Sequence, residues 1–400
     1  MNRTSPLTIS AYTATSCLGR GLVATRASLA SRRSLLRPCR FLGREMPTWI
    51  GEVDGLEDDA LPAQFASYEC RNNRLALAGL RQDGFIDAVN AARQRHGATR
   101  IGVFLGSSTS GLLNSELAYQ HRDAGSGGLP DDLHYAHTHN MYSLAAFVGD
   151  FLELQGPRSV GSIACASSAK VFATGARAIA AGLVDAVIVG GVDTLCLTTL
   201  YGFGSLELLA PNECRPFDLH RNGVSIGEAA AFFLLERDAG GAPGRPRLVG
   251  YGESSDAHHI SSPHPQGLGA QMAMQAALQR AGIGPSQVDY VNLHGTATPS
   301  NDAAEDLAVV SVFGRDVPVS STKGAHGHCL GAAGGLEAAV ALLSLEAQRL
   351  PGGLNVEQID PSLQSNYLLQ DKPMPVRTVM SNSFGFGGAN ASLVFSGGGP

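Results

Sequence analysis

Charge is scarce in this sequence: Asp, Glu, Lys and Arg make up only 16% of its 400 residues. The net charge is −6 and no dense basic run occurs. The counterion release that drives nucleic-acid binding therefore has no footprint, and no nucleic-acid partner is expected. Disulfide signals are missing too. Seven cysteines stand at positions 17, 39, 70, 165, 196, 214 and 329, an odd number without a single CxxC pair. That pattern argues against a disulfide framework and against a cysteine-based structural zinc site. No stretch approaches ~18 consecutive apolar residues, so no transmembrane helix is expected and no membrane partner. Met1 to Gly19 lacks the cationic-then-apolar profile of a signal peptide. A cytoplasmic, reducing setting is the expectation.

What is present suits a large buried core, since 44% of residues are hydrophobic. The 49 glycines fall in short clusters at the ends of apolar runs, as in loops packed tightly around sites. Runs such as Ile101 to Leu105, Ala186 to Val189, Ala231 to Leu235, Tyr290 to Leu293 and Val376 to Met380 read as strands. They are nearly all apolar, as in strands covered by helices on both faces, and amphipathic helical stretches separate them. The fold class is α/β with layered sheets. Two regions share an order of strand, reactive-type residue and Ala-rich helix: Lys170 to Ala181 after Cys165, and Leu336 to Gln348 after His328. Two similar halves follow, 1–240 and 241–400, with a Gly/Pro linker at Asp238 to Arg245. An arginine cluster, Arg32 to Arg40, fits a solvated helix-loop face better than a docking patch for an acidic partner.

Four segments carry chemistry. Cys165, in Gly-Ser-Ile-Ala-Cys-Ala-Ser-Ser-Ala, stands between an apolar run and a helix start. The helix dipole there would lower the thiol pKa, and free N–H groups could hold an oxyanion. Taken alone, a buried structural cysteine is the commoner reading. His294 ends an apolar strand and shares its loop with Thr296 and Thr298, whose hydroxyls could bind a polar ligand. Lys323 and His328 lie in Ser-Thr-Lys-Gly-Ala-His-Gly-His-Cys-Leu-Gly-Ala-Ala-Gly-Gly, an electropositive corner suited to a thiolate or an enolate. His326 between them reads as loop. In Asn382 to Asn390 the glycines at 385, 387 and 388 do not fit GxGxxG, which excludes a dinucleotide fingerprint. They let backbone approach a ligand instead, with Phe384 and Phe386 beside it.

In order, these segments together with Arg215-Pro-Phe-Asp218 and Gly227-Glu228 resemble the β-ketoacyl-acyl-carrier-protein synthases of the thiolase superfamily. The resemblance implies two thiolase-like halves in a layered αβαβα architecture. It implies an acyltransferase that performs a decarboxylating Claisen condensation with a malonyl unit, lengthening a fatty-acid or polyketide chain by two carbons. Cys165 would carry the primer, and His294 and His328 would stabilise the malonyl enolate. The N–H groups of Cys165 and Phe386 would form the oxyanion hole. Lys323 would support the site, held by Glu305. Thr296 and Thr298 would bind the phosphopantetheine arm, Phe386 would gate the site beside Phe384, and Thr109 would line the acyl pocket. No cofactor or metal is implied beyond the phosphopantetheine of acyl carrier protein.

The implied partners are that carrier and a second ketosynthase chain, as a homodimer or as a heterodimer with a chain-length-factor-like subunit. The segment His-His-Ile-Ser-Ser-Pro-His-Pro looks like synthases of aryl-polyene clusters. Arg221-Asn222-Gly223 and Gly227-Glu228-Ala229 depart from the common Arg-Asp-Gly and Gly-Glu-Gly, which touches loop geometry and not the catalytic groups. Rival readings weaken on single residues. A non-catalytic chain-length factor would lack the nucleophile, and a thiolase would place a second cysteine in the 384–388 loop. A priming synthase would have Asn in place of His328. Metal binding by His134, His137 and His139, or by His258, His259 and His264, lacks a completing ligand.

Overall fold

The computed structural model describes residues 5–237 and 244–397. The expected linker Asp238 to Arg245 falls mostly outside them. Eleven strands form one hydrogen-bonded path: β1 Leu7–Ser16, β2 Ile101–Gly106, β3 Arg158–Gly161, β4 Ala186–Asp193, β5 Ala229–Arg237, β6 Arg247–Ser255, β7 Tyr290–Asn292, β8 Pro318–Ser320, β9 Asn366–Tyr367, β10 Thr378–Gly385 and β11 Ala389–Ser396. Their spatial order is β9-β8-β7-β10-β11-β6-β1-β5-β4-β2-β3, and Gly19–Arg20 pairs onto β1.

The order contains one pattern twice. In the first half β3, β2 and β4 run parallel, followed by antiparallel β5 and β1. In the second half β8, β7 and β10 run parallel, followed by antiparallel β11 and β6. The two sets meet at Leu7↔Leu248 and Thr8↔Arg247. Cys165 follows β3, while Lys323 and His328 follow β8, the equivalent strand.

Why these strands form follows from their two-sided burial. Along β4 and β5, Val187, Val189, Phe233 and Leu235 enter the central core. Ala186, Ile188, Phe232 and Leu234 enter the outer one. Helices Ser167–Ala180 and Ala333–Ala347 touch each other and strands of both sets, so they form the middle layer. Helices Arg71–Leu80 and Ser143–Phe151 cover the first set, and Leu268–Ala281 and Pro299–Phe313 the second. The layering is αβαβα, as the resemblance implied. Leu330–Ala347 is the one segment among the described residues long and apolar enough to cross a membrane, and it is buried in this middle layer.

Some boundaries differ from the sequence reading. The last parallel strand begins at Thr378, not Val376, because side chains take the preceding N–H groups. Gln348 Oε1 accepts from Val376 at 2.9 Å, and Asp289 Oδ2 accepts from Arg377 at 2.7 Å. Both central helices start three residues early, at Ser167 and Ala333. Gly334 and Gly335 do not break the second helix; they let it approach its neighbours, since a Cβ on Gly334 would lie 2.7 Å from Ala169 Cβ. Arg32, Arg37 and Arg40 each face a carboxylate of this chain, Asp371, Glu52 with Asp54, and Glu45. Three of the four arginines in the cluster are therefore paired within the chain.

Gly106 closes β2 where the nucleophile helix begins, and a Cβ there would lie 2.3 Å from Ser168 N. Gly106→Ala is expected to cost about 1–3 kcal/mol of stability, read as a lowered chemical-denaturation midpoint. An unchanged midpoint would mean the helix is not seated on the strand.

Candidate active site

The nucleophile sits on a strained turn. Ala164 adopts φ 51°, and Ile163 bridges to Cys165 in parallel fashion across it. Ser167 ties the turn together, accepting from Ile163 N at 2.9 Å and donating to Ala164 O at 2.6 Å. Cys165 is 6% exposed. The chain end lies directly over it, since a Cβ on Gly385 would stand 3.1 Å from the Cys165 nitrogen. The Phe386 N–H faces the Cys165 sulfur.

His328 arrives from the other half. Gly327 at φ 77° turns the chain, and His328 N donates to Ser225 O at 2.7 Å. Its Nε2 lies 2.9 Å from Cys165 Sγ. The His294 ring stands perpendicular to it, with centroids 5.2 Å apart and an 84° angle. The sulfur and one nitrogen from each ring lie within 4.8 Å of one another. Thus Cys165, His294 and His328, predicted from separate segments, share one space.

Lys323 is fully buried and donates to Glu337 Oε1 and to His294 O. Its Nζ also lies 3.4 Å from His294 Nδ1. An ammonium cannot accept, so Nδ1 must, and the neutral His294 ring carries its proton on Nε2. Burial, then the Lys323 ammonium, holds both catalytic imidazoles well below the usual histidine range. They stay uncharged near neutrality. His328 Nδ1 has no partner among the described residues. Nothing therefore fixes its tautomer, and Nε2 can accept a proton in one step and donate one in another.

Four expectations are corrected. Glu305 does not hold Lys323. It accepts from His294 N at 2.8 Å and Gly295 N at 2.7 Å, fixing the histidine loop, while Glu337 is the lysine's counter-ion. Burial lifts the Glu305 carboxyl to about 7. Thr109 does not line the cavity at Cys165; it is fully buried and donates from Oγ1 to Asp193 at 2.9 Å. The Cys165 thiol is raised rather than lowered: burial pushes it to about 11, while Lys323 and the Phe386 N–H pull it back. His326 belongs to a buried helical turn, Lys323–His326, and its Nε2 contacts Thr322 Oγ1 at 3.0 Å.

The remaining predicted residues gather at the same cavity, which Thr296, Thr298, Phe384 and Phe386 line. The two threonine hydroxyls bond each other at 2.9 Å. Phe384 meets the His294 ring edge-on at 6.0 Å. Ser261, Ser262, Ser300 and Asn301 add polar groups to the cavity wall. Among the described residues, the groups His134 to His139 and His258 to His264 form no metal-sized cluster; only the catalytic trio is that compact.

Three contributors escaped the sequence reading. Glu337 had a signal, a lone acid in the apolar run Leu-Glu-Ala-Ala-Val. Asp193 had a weaker one, a carboxylate ending a buried strand. It accepts from Ser107, Ser108, Thr109 and Gly331, joining the loops of both halves. Phe203, stacked on Phe386, had none.

A buried thiol and two uncharged imidazoles around one cavity, on a duplicated α/β scaffold, define a condensing acyl-transfer site of the thiolase-like class. The chain belongs to the β-ketoacyl synthase family: it matches "Beta-ketoacyl synthase, N-terminal domain" over 70–240 and "Beta-ketoacyl synthase, C-terminal domain" over 246–357. It is 34% identical to a 3-oxoacyl-[acyl-carrier-protein] synthase 2 of Staphylococcus aureus, across 74% of this chain and 77% of that one. It is 41% identical to the mitochondrial 3-oxoacyl-[acyl-carrier-protein] synthase of Arabidopsis thaliana, across 60% of this chain and 57% of that one. A ketosynthase from Xenorhabdus doucetiae, solved in complex with its chain length factor, superposes with TM-score 0.89 at 38% identity over 98% of both chains.

Glu337→Gln is expected to remove the carboxylate paired with buried Lys323, at a cost of about 3–5 kcal/mol in denaturant titration. A loss under about 1 kcal/mol would mean the pair is not charged. Because the thiol sits near 11, Cys165 alkylation by iodoacetamide should climb about tenfold per pH unit between 7 and 9. A rate already level at pH 7 would show a preformed thiolate.

Proposed function

We propose that this chain is a β-ketoacyl-acyl-carrier-protein synthase that condenses an acyl group held on Cys165 with a malonyl unit, both delivered on the phosphopantetheine arm of acyl carrier protein. One observation carries the reading: Cys165 Sγ lies 2.9 Å from His328 Nε2, in a cavity that His294 also lines.

In the first step Cys165 attacks the acyl thioester. Its proton moves to His328 Nε2 as the C–S bond forms, and the N–H groups of Cys165 and Phe386 hold the oxyanion. The carrier's C–S bond breaks and its thiolate takes the proton from His328. In the second step a malonyl thioester enters with its carbonyl toward the imidazoles. The bond to its carboxylate breaks, carbon dioxide leaves, and the electron pair flows into an enolate held by the His294 and His328 N–H groups. The enolate carbon attacks the acyl carbonyl, the Cys165 C–S bond breaks to give the β-ketoacyl product, and the departing thiolate takes a proton from water, the one proton the overall reaction consumes. Neutral imidazoles suit this step, because an imidazolium would protonate the carbanion. No step calls for a metal or a redox cofactor.

Thr296 and Thr298, at the cavity wall, are the proposed contacts for the arm, and Phe384 and Phe386 the wall over the reacting atoms. A non-catalytic partner role finds no support in a complete nucleophile and histidine pair. Pairing with a chain-length-factor subunit is supported by the Xenorhabdus doucetiae ketosynthase, which was solved in such a complex. A pigment-type polyene primer and a cytoplasmic setting complete the reading.

The test uses intact-protein mass spectrometry with acyl and malonyl carrier thioesters. Cys165→Ala should abolish the acyl adduct; an adduct persisting on that variant would remove Cys165 from the mechanism. His294→Ala should slow carbon dioxide release roughly 10²–10³-fold while sparing acyl transfer. His328→Ala should slow both, and equal losses in the two variants at both steps would overturn the division.

A further inference from the structure

We infer that Phe203 is a positioning residue, whose ring holds Phe386 and thereby keeps one oxyanion donor against Cys165. The inference rests on the proposed condensation and assigns the control of its oxyanion hole.

The Phe203 and Phe386 rings stack with centroids 5.6 Å apart and planes 16° from parallel. Both line the cavity at Cys165 and both are half-buried. Phe386 needs such a support. The next two residues, Gly387 and Gly388, have φ 76° and 75°, a left-handed pair with no side chains to pack beside the Phe386 ring. Backbone bonds hold the loop at its base, where Gly385 pairs with Ala389, and on its far side, Gly387 N to Ile260 O at 2.7 Å and Asp256 N to Gly388 O at 2.9 Å. Within the cavity the Phe203 ring is stacked on that of Phe386.

Phe203 is itself anchored toward the other wall. It lies near the end of helix Leu197–Ser205, whose N-cap residue Cys196 makes no side-chain cap. Glu116 caps it instead, accepting from Leu197 N at 2.8 Å and Thr198 N at 2.7 Å. Glu116 belongs to helix Leu112–Gln120, which follows directly on the Ser107 to Thr109 loop that Asp193 pins. Asp193 also accepts from Gly331 N at 2.6 Å, three residues beyond His328. A continuous path of bonded and packed groups therefore joins the histidine loop, the wall helix and the Phe386 loop. The oxyanion hole serves acyl transfer and condensation, whereas decarboxylation uses the imidazoles. Loss of the stack should therefore separate those steps.

The experiment compares Phe203→Ala, Phe203→Leu and Phe203→Tyr in the full chain by three readouts. Acyl transfer to Cys165 is followed by intact mass, carbon dioxide release from a malonyl carrier thioester directly, and iodoacetamide alkylation by peptide. The Ala and Leu variants should acylate roughly three- to tenfold more slowly, the range of one aromatic pair. Their carbon dioxide release should stay within about twofold of the unaltered chain. Cys165 should alkylate more slowly in both, because a displaced Phe386 N–H no longer pulls the thiol down, with Cys70 and Cys214 unchanged, and Phe203→Tyr should match the unaltered chain in all three readouts. Equal loss of acylation and decarboxylation, or a Leu variant matching the unaltered chain, overturns the inference. If Ala exposes Cys70 and Cys214 it has unfolded, and the Leu and Tyr variants decide. An unaltered chain that neither acylates nor decarboxylates defeats the condensation reading, while the alkylation readout still judges the stack.

Discussion

The site exists because two helix starts from different halves of the chain come close enough for a sulfur and an imidazole nitrogen to touch. Helices Ser167–Ala180 and Ala333–Ala347 lie side by side in the middle layer, and small residues line their contact. Gly334 packs on Ala169, and Gly335 N donates to Ser168 Oγ at 2.8 Å. Bulkier side chains would set the axes at the ordinary spacing of about 8–10 Å or beyond, and Cys165 would lose its 2.9 Å contact with His328. Duplication makes the geometry dependable. Each half delivers its reactive residue from the same place in the same strand order, after β3 in one and after β8 in the other.

Burying a full charge in such a layer is costly, yet Lys323 and Glu337 sit there with no exposed surface. Burial lifts the Glu337 carboxyl to about 7 even with the ammonium against it. An apolar pair of similar volume would pack as well or better. What the ammonium does that an apolar group cannot is turn His294. By occupying the Nδ1 side and the His294 carbonyl, it leaves Nε2 as the ring's N–H donor. Glu305 completes this from the other direction, binding the N–H groups of His294 and Gly295 so that the loop cannot rotate.

Particular residues show what a sequence can disclose. Cys165, His294 and His328 were legible because each interrupts an apolar pattern at the end of a strand or the start of a helix, where chemistry is exposed to a cleft. The layering was legible because the strand runs are apolar on both faces. Pairings across the molecule were not legible. Glu305 and Glu337 are both buried acids on helices near the site, and only coordinates show which of them reaches Lys323. Thr109 illustrates the same limit: a polar loop residue can face a ligand or a buried carboxylate, and here Asp193 claims it. Burial itself decides the thiol, since the helix start argues for a lowered pKa and the depth of the site pushes it to about 11.

That last reversal explains how a site with so little charge can work. At rest the thiol and both imidazoles are neutral, and the buried Lys323 ammonium is matched by Glu337. Charge appears only when a thioester arrives, and then always beside its complement. A thiolate forms as His328 takes its proton, an oxyanion forms between two backbone N–H groups, and an enolate forms against two imidazole donors. In a low-dielectric pocket such fixed dipoles act more strongly than in water and need no reorganisation. A preformed thiolate would add nothing to that arrangement. It would instead leave an unpaired charge buried in the site before any thioester arrives, which burial disfavours.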